Sequence, residues 1–424
     1  FKQIREQINT DMVVMADEIT GFATSIADLN IQIANAQGRT SGDQQPNDLL
    51  DKRDAILNQL AELVDISIVP SSSNMVNVFM GKGEILVLDG TAQKVVTQTS
   101  RLDITALDVG VETNTGFVNV ITDQISGGAL AGTIRFRNEI LDPAQQRLGA
   151  VAASIAMEFN NVHELGFDLD GVEGDLFFQG QGMGTDAIPV SADVSNSVGS
   201  ALTVMFDKTK VSDIDHSDYT LEVTGVSAYK LTRELDDSTI DLQVSGGFLI
   251  PLTSPPDKLP GITIAPTSLN VGDKFLIRPT YTAASTIAQN ITDPRKIALA
   301  TNAAVDSAGN PYVITGPMPG DNRNGLELAA LEHKKGMLGE TATFQGGYGL
   351  VVSEVGVLTT SAHIAGAAQE TLLNNAKDSW SNVSGVNLDE EAANLIKFQQ
   401  SYQAAAQMIS VSDTLFNALI GAVN

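Results

Sequence analysis

The chain has no cysteine. That excludes disulfides, thiol catalysis and zinc–thiolate sites. It is also poor in positive charge: 25 Lys and Arg stand against 51 Asp and Glu, a formal net charge of −26. Such a chain repels nucleic acid and anionic lipid, and no basic cluster offsets it. The stretch "IRFRNEI" (134–140) sets Arg135 and Arg137 beside an aromatic, but two arginines in this background do not make a nucleic-acid site. Trp380 is the single tryptophan and is assigned to packing near a helix end. No uninterrupted apolar run approaches the ~20 residues of a membrane span, so no membrane insertion is expected. The opening "FKQIREQINT" lacks the apolar stretch of a signal peptide. It does not begin with Met and is read as the start of a fragment or processed form.

Catalytic and ligand motifs are missing too. "HELGF" (163–167) begins like a zinc-protease helix but has no second histidine four residues on. The four histidines, His163, His216, His333 and His363, are scattered and read as surface or helix residues. "DLDGVEGD" (168–175) has the acidic spacing of a calcium loop without the remaining ligands, and a plain acidic turn is the stronger reading. "GKG" (81–83) and "GQGMG" (180–184) are too short for phosphate loops and read as turns. No GxSxG elbow occurs. The expectation is no catalysis, no cofactor and no metal.

What is present is pattern. The 424 residues are 43% hydrophobic, enough for several globular domains. Phe1, Ile8, Met15, Phe22 and Leu29 recur every seven residues, with Met12, Ile19, Ile26 and Ile33 on the neighbouring row. That is the seam of a helix in a bundle or coiled coil. "GRTSGDQQPND" (38–48) breaks it, and a second helix follows over 49–64, capped by Asn47 or Asp48, with a stripe of Leu49, Ile56, Leu60 and Leu63. The two read as an antiparallel helical hairpin, residues 1–65. Period-two segments follow ("ISIVP", "MVNVFM", "EILVLDG", "KVVTQT", "FVNVIT") and predict a small β subdomain over 66–127. Helix returns over 128–166, with Leu141, Leu148, Ile155 and Val162 at seven-residue steps and Pro143 predicting a kink or two abutting helices. Residues 167–320 are dense in turn residues and predict one or two inserted β-rich domains. Helices resume over 321–383.

The last segment, 384–424, is the most sharply patterned. Asn387 can cap it, and Asp389, Glu390 and Glu391 suit the positive end of a helix dipole. Leu388, Leu395, Tyr402, Ile409 and Phe416 then fall at seven-residue spacing, flanked by Phe398, Ala405 and Leu419. This predicts a helix that supercoils on a partner, and at the least a stripe that must be buried.

"SGVNLDEEAANLIKFQQSYQAAAQMISVSDTLFNALI" resembles the C-terminal signature shared by bacterial flagellar axial proteins. Within that group the chain is most similar to the hook-associated proteins of the hook–filament junction. "PNDLLDKRDAILNQLAELV" (46–64), "ISGGALAGTIRFRNEILDPAQQRLGAVA" (125–152), "EFNNVHELGFDLDG" (158–171), "LFF" (176–178) and "GDNRNGLELAAL" (320–331) carry the likeness in family order. The resemblance implies export unfolded through the flagellar type III channel, to the outside of the cell. It implies an α+β multidomain rod, its bundle or coiled-coil body made by both chain ends, with inserted all-β domains. It implies terminal helices in an inner layer, the helical body in a middle layer and the β insertion outside. The implied partners are copies of itself, the hook protein, a second junction protein, and a cytoplasmic export chaperone through the C-terminal helix. Family members open with a further helical segment. Its absence here leaves the tail seam without a partner in the chain, so residues from about 385 are expected to be loosely held or to find a substitute. The assembly and chaperone seam is then Leu388, Leu395, Phe398, Tyr402, Ile409, Phe416 and Leu419. The alternatives are another axial protein, flagellin-like or hook-like, a surface adhesin or glycan-binding module carried by 167–320, or a hydrolase with a cleft there.

Overall fold

A computed structural model describes residues 1–39, 46–71, 74–113, 116–184, 186–252, 259–301, 303–305, 308, 311–313, 319–384 and 388–423. It divides into two compact units, Phe1–Val355 and Gly356–Asn424. Helices occupy both ends of the chain and β sheets are inserted between them, an α+β fold.

Helix α1 (Lys2–Arg39) buries most of the seam its sequence predicts: Ile8, Met12, Met15, Ile19, Ile26, Leu29 and Ile33 are closed to solvent, Phe22 is partly buried and Phe1 is exposed. Its neighbours are mixed. Helix α2 (Asn47–Leu63) packs along it, and the rest of the seam lies on the strands between Glu84 and Glu112. A seven-residue repeat therefore marks a buried stripe here without marking a helical partner, because a sheet face accepts the same stripe. In α2, Leu57 and Leu60 are buried, whereas Ile56 and Leu63 are partly so. Its N-cap position is Pro46, with no side-chain cap, rather than Asn47 or Asp48.

The first β region holds an antiparallel four-stranded sheet, Ile66–Pro70, Val76–Met80, Glu84–Leu88 and Thr91–Ala92, in sequence order. A three-stranded sheet, Lys94–Thr99, Leu107–Glu112 and Val118–Val120, follows. The strand Leu107–Glu112 is not among the predicted period-two segments. It is central and carries three successive buried residues, Val109, Gly110 and Val111, so it lacks the alternation of a half-exposed strand. Gly110 is required there: a Cβ would stand 2.4 Å from Val118.

Helix α3 (Gly128–Arg135) runs into a π-helical turn, Phe136–Leu141, and then into α4 (Asp142–His163). Backbone angles stay helical through both joins, and the Asp142 N–H reaches back to Arg137 O. Pro143 has no N–H to donate and crowds the preceding turn. The widened turn just before it takes up that mismatch. In α4 the predicted row Leu148, Ile155 and Val162 is only half-buried. The face turned to the core is small: Gly149, Ala150, Ala153 and Ala156, with Met157. Those residues let the segment Thr280–Thr286 approach closely, including the short helix α5 (Ala283–Thr286) with its buried Ala283.

Between α4 and residue 320 lies an antiparallel six-stranded sheet. Its order is Val190–Ala192, Lys274–Ile277, Tyr219–Gly225, Ala228–Arg233, Thr239–Ser245, Phe248–Pro251. The pair Ala201–Phe206 and Ile262–Thr267 packs with it over a core of Val204, Leu221, Leu231, Ile264 and Phe275. Helix α6 (Arg323–Ala330) follows. Helix α7 (Phe344–Ser384) begins in the first unit, where Glu354 pairs with Arg147 of α4, and continues into the second. Helix α8 (Leu388–Val423) is the last described element.

Candidate assembly surface

Ala, Leu and Gln are the commonest residues of α8, all good helix formers, and Asp389, Glu390 and Glu391 occupy its first turn. From Thr359 onward every residue whose side chain is described is exposed. Of the predicted seam, Leu395, Phe398, Tyr402, Ile409 and Phe416 share one face of α8 and are 59 to 78% exposed. The side chains of Leu388 and Leu419, and Asn387 altogether, lie outside the described residues. Exposed apolar stripes of this size mark interaction surfaces in general, which makes this face the candidate.

The apolar face is wider than the seven-residue spacing predicts. Met408, Val411 and Leu415 are exposed as well and stand on a row beside the seam. At about 100° per residue the apolar side chains from Leu395 onward cover more than half of the helix circumference. One partner helix buries only a narrow a/d stripe. Helix α8 therefore suits a place between several neighbours better than a two-stranded coiled coil.

The absence of any apolar span needs correction. Residues Phe344–Asn382 form a helix long and apolar enough to cross a membrane by length and composition. Gly, Ala, Ser and Thr keep each apolar run short while the average stays high. The stretch also carries Glu354, His363, Glu370, Lys377 and Asp378. Charges are expensive in hydrocarbon, and Glu354 is committed to Arg147.

Catalytic and ligand readings find little support. The acidic loop after α4 consumes its own carboxylates. Asp168 accepts the backbone N–H groups of Asp170 and Val172, and Asp170 pairs with Arg295. Among the described residues no group of three or more His, Asp or Glu is placed to hold a metal. A cleft in the inserted β region is lined by Asp213, Asp215, Tyr219 and Arg233. Burial alone would raise the Asp215 carboxyl, but hydrogen bonds from Arg233 and Tyr219 outweigh it and hold it below its usual range. The Asp215 carboxyl is thus held as the anion and is not raised toward a general acid.

His163 is a helix residue, the last of α4, and is fully buried. Its Nε2 accepts the Ala298 N–H at 2.9 Å, so Nδ1 carries the proton and donates to Asp175 O at 2.7 Å. Burial depresses its pKa, against the opposing pull of the Asp175 carbonyl. Because the folded value is depressed, its contribution is intact above the unfolded value of about 6.5 and is lost as pH falls below that. Thermal unfolding from pH 8 to pH 5 is expected to show this decline, and His163→Gln is expected to lessen it. An equally steep decline in the variant would contradict the assignment.

A buried charged hub went unnoticed in the sequence. Arg278, at the end of the strand Lys274–Ile277, donates from Nε to Asp218 at 2.9 Å and from Nη1 to Asp103 at 2.7 Å. Its Nη2 lies 3.9 Å from Asp142. Arg5 of α1 pairs with the other oxygen of Asp142. Both guanidinium groups sit over the Tyr281 ring, Arg278 at 3.5 Å and Arg5 at 5.1 Å from its centroid. Burial pushes Asp218 up to about 6, with Arg278 opposing and Asp142 and Asp103 adding to the rise.

Comparison with known proteins supplies the family. The family model of the flagellar hook-associated protein FlgK helical domain matches residues 1–178. That of the flagellar basal body rod FlgEFG protein C-terminal matches residues 379–422. Flagellar hook-associated protein 1 of Salmonella typhimurium is 30% identical over 416 residues, 98% of this chain and 71% of that protein. The chain belongs to the flagellar hook-associated protein 1 family. Its counterpart in Escherichia coli is 29% identical over 417 residues, with the same two coverages. In fold, the chain is similar to the flagellar hook junction protein FlgK of Burkholderia pseudomallei. The TM-score is 0.76 at 24% identity, over 91% of this chain and 86% of that one. The flagellin-like and hook-like alternatives give way to the hook-associated family, whose named members are flagellar structural proteins.

Proposed function

We propose that this hook-associated protein is a subunit of the junction between flagellar hook and filament, outside the cell, and that it acts by assembly. The observation that carries the reading is the exposed apolar face of α8. An arc covering more than half the helix is suited to several neighbours, as in a tube wall where each subunit touches copies of itself. Repeated head-to-tail contacts propagate such a structure. Leu388, Leu395, Phe398, Tyr402, Ile409, Phe416 and Leu419 are the proposed seam. The hook protein and a second junction protein are the proposed partners at the two ends of the layer. An unburied apolar helix also suits capture in a groove, and the proposed cytoplasmic holder of α8 before type III export is a chaperone.

Immunogold labelling of intact flagella with an antibody against the inserted β region, 167–320, tests the location. Gold is expected at the boundary between hook and filament. Gold along the filament, or at the rod alone, would overturn the reading.

A further inference from the structure

The charged hub joins parts of the first unit that are remote in sequence. Arg5 comes from the start of α1, Asp103 from the loop between the strands Lys94–Thr99 and Leu107–Glu112, and Asp142 from the start of α4. Asp218, Arg278 and Tyr281 come from the inserted β region. Arg5 and Arg278 make no hydrogen bond to one another. What they share is Asp142, one oxygen each, and the faces of Tyr281. Gln145 of α4 donates to Tyr281 O at 2.8 Å, which ties the same residue to the helical side. Several buried polar atoms here have no partner: Arg5 Nη1, Asp218 Oδ1, Thr280 Oγ1 and Thr282 Oγ1.

The charge balance explains the orphaned oxygen. Two guanidinium groups meet three carboxylates, Asp103, Asp142 and Asp218. Arg137 lies close to Asp142 but spends its own N–H on Leu107 O. Asp103 is further satisfied by the Thr105 N–H and hydroxyl. Asp218 receives one bond, from Arg278 to Oδ2, and its other oxygen stays buried without a partner. A buried network of this kind is strongly coupled, because removing one member strands the charges of the others.

We propose that Arg5 and Arg278 are positioning residues of a single clamp, closed on Tyr281 and Asp142, through which the first turns of α1 fix how the inserted β region is seated on the helical part. The seating of residues 278–286 then depends on Arg5, which lies in a different element and makes no hydrogen bond to that segment. Lysine cannot substitute at either place. It carries the charge but lacks the flat guanidinium that stacks on the ring at both places and, at 278, the fork that reaches two carboxylates.

Amide hydrogen exchange on the whole chain tests this, because it reads local opening separately from global unfolding. The reporters are Ala106, Ala283 and Ile287, whose N–H groups bond to Asp103, Thr280 and Ala283 carbonyls. The controls are Leu221 and Leu231, inside the six-stranded sheet. Arg5→Lys is expected to speed exchange at Ala283 and Ile287 by tenfold or more over the controls, as is Arg278→Lys. Tyr281→Leu keeps every charge and is expected to do the same, so it decides the matter if an arginine variant fails to fold. If Arg5→Lys leaves Ala283 and Ile287 at the wild-type rate, or if reporters and controls accelerate alike, there is no clamp.

A pH effect accompanies it. The folded pKa of Asp218 is raised, so its contribution is fully present below the unfolded value of about 3.8 and is lost as pH rises through about 6. Arg278, Asp103 and Asp142 are the charged groups that set it. Reporter exchange, corrected for the intrinsic pH dependence of amides, is expected to be slower at pH 5 than at pH 7.5, and flat in Asp218→Asn. The same slope in both proteins would remove Asp218 from the clamp.

Discussion

Gly149→Ala is expected to cost about 3 kcal/mol or more of stability in the first unit, through overpacking against a partner that cannot move aside. The added Cβ would lie 1.7 Å from the Thr280 carbonyl oxygen and 2.7 Å from its carbon. Those are backbone atoms. Helix α4 and the segment Thr280–Thr286 would have to separate, and buried contacts of Ala150, Ala153 and Ala283 would loosen with them. The segment also holds the hub, since Tyr281 follows Thr280 directly. Gly21→Ala supplies the contrast. Gly21 is exposed in the middle of α1 with nothing within 4 Å of a new Cβ. There alanine is expected to stabilise by about 0.5–1 kcal/mol, the helix-propensity difference. Urea unfolding of the two variants checks both signs. A Gly149→Ala protein as stable as wild type would show that α4 and the Thr280 segment are not in close contact.

The second large effect is expected on assembly with none on folding. Tyr402→Asp combined with Ile409→Asp places two charges on the exposed face of α8. Both side chains are in water in the free chain, at 78% and 67% exposure, so the unfolding midpoint of the first unit should not move. In an assembled layer the same positions would bury uncompensated carboxylates, which is strongly unfavourable. Sedimentation over a concentration series should therefore show self-association in the wild-type chain and monomer in the variant. If the variant associates as strongly as wild type, the seam lies elsewhere. A control pair on the polar face, Gln403→Asp with Gln407→Asp, should leave association unchanged.

Much of the helical framework was legible because its signals are local and periodic. The seam of α1 from Ile8 to Ile33 is buried as its spacing required, except for the half-buried Phe22. What covers it was not legible: a seven-residue repeat specifies a stripe and leaves the partner open, and here strands share the partnership with α2. In α4 the leucine row drew attention, while the face that packs closest is built of Gly149 and alanines, which carry little hydrophobic signal. The strand Leu107–Glu112 was missed because a strand buried on both sides does not alternate. The tail seam was found as a pattern, but its breadth emerged only when Met408, Val411 and Leu415 proved to be as exposed as the seam itself. The hub left almost no trace, because its members run from Arg5 to Tyr281 with no common spacing. One faint signal existed: Arg278 directly follows the apolar run Phe275–Leu276–Ile277, where an unpaired charge would be costly.

The central claim is that the α8 face builds a junction layer on the flagellum. Electron microscopy of cells deleted for this gene, complemented with the wild-type chain or with the Tyr402→Asp/Ile409→Asp variant, tests it most directly. The account predicts bare hooks and shed flagellin in the deletion, filaments restored by the wild-type gene, and bare hooks again with the variant. Normal filaments in the deletion strain would contradict the junction role, and normal filaments with the variant would contradict the seam.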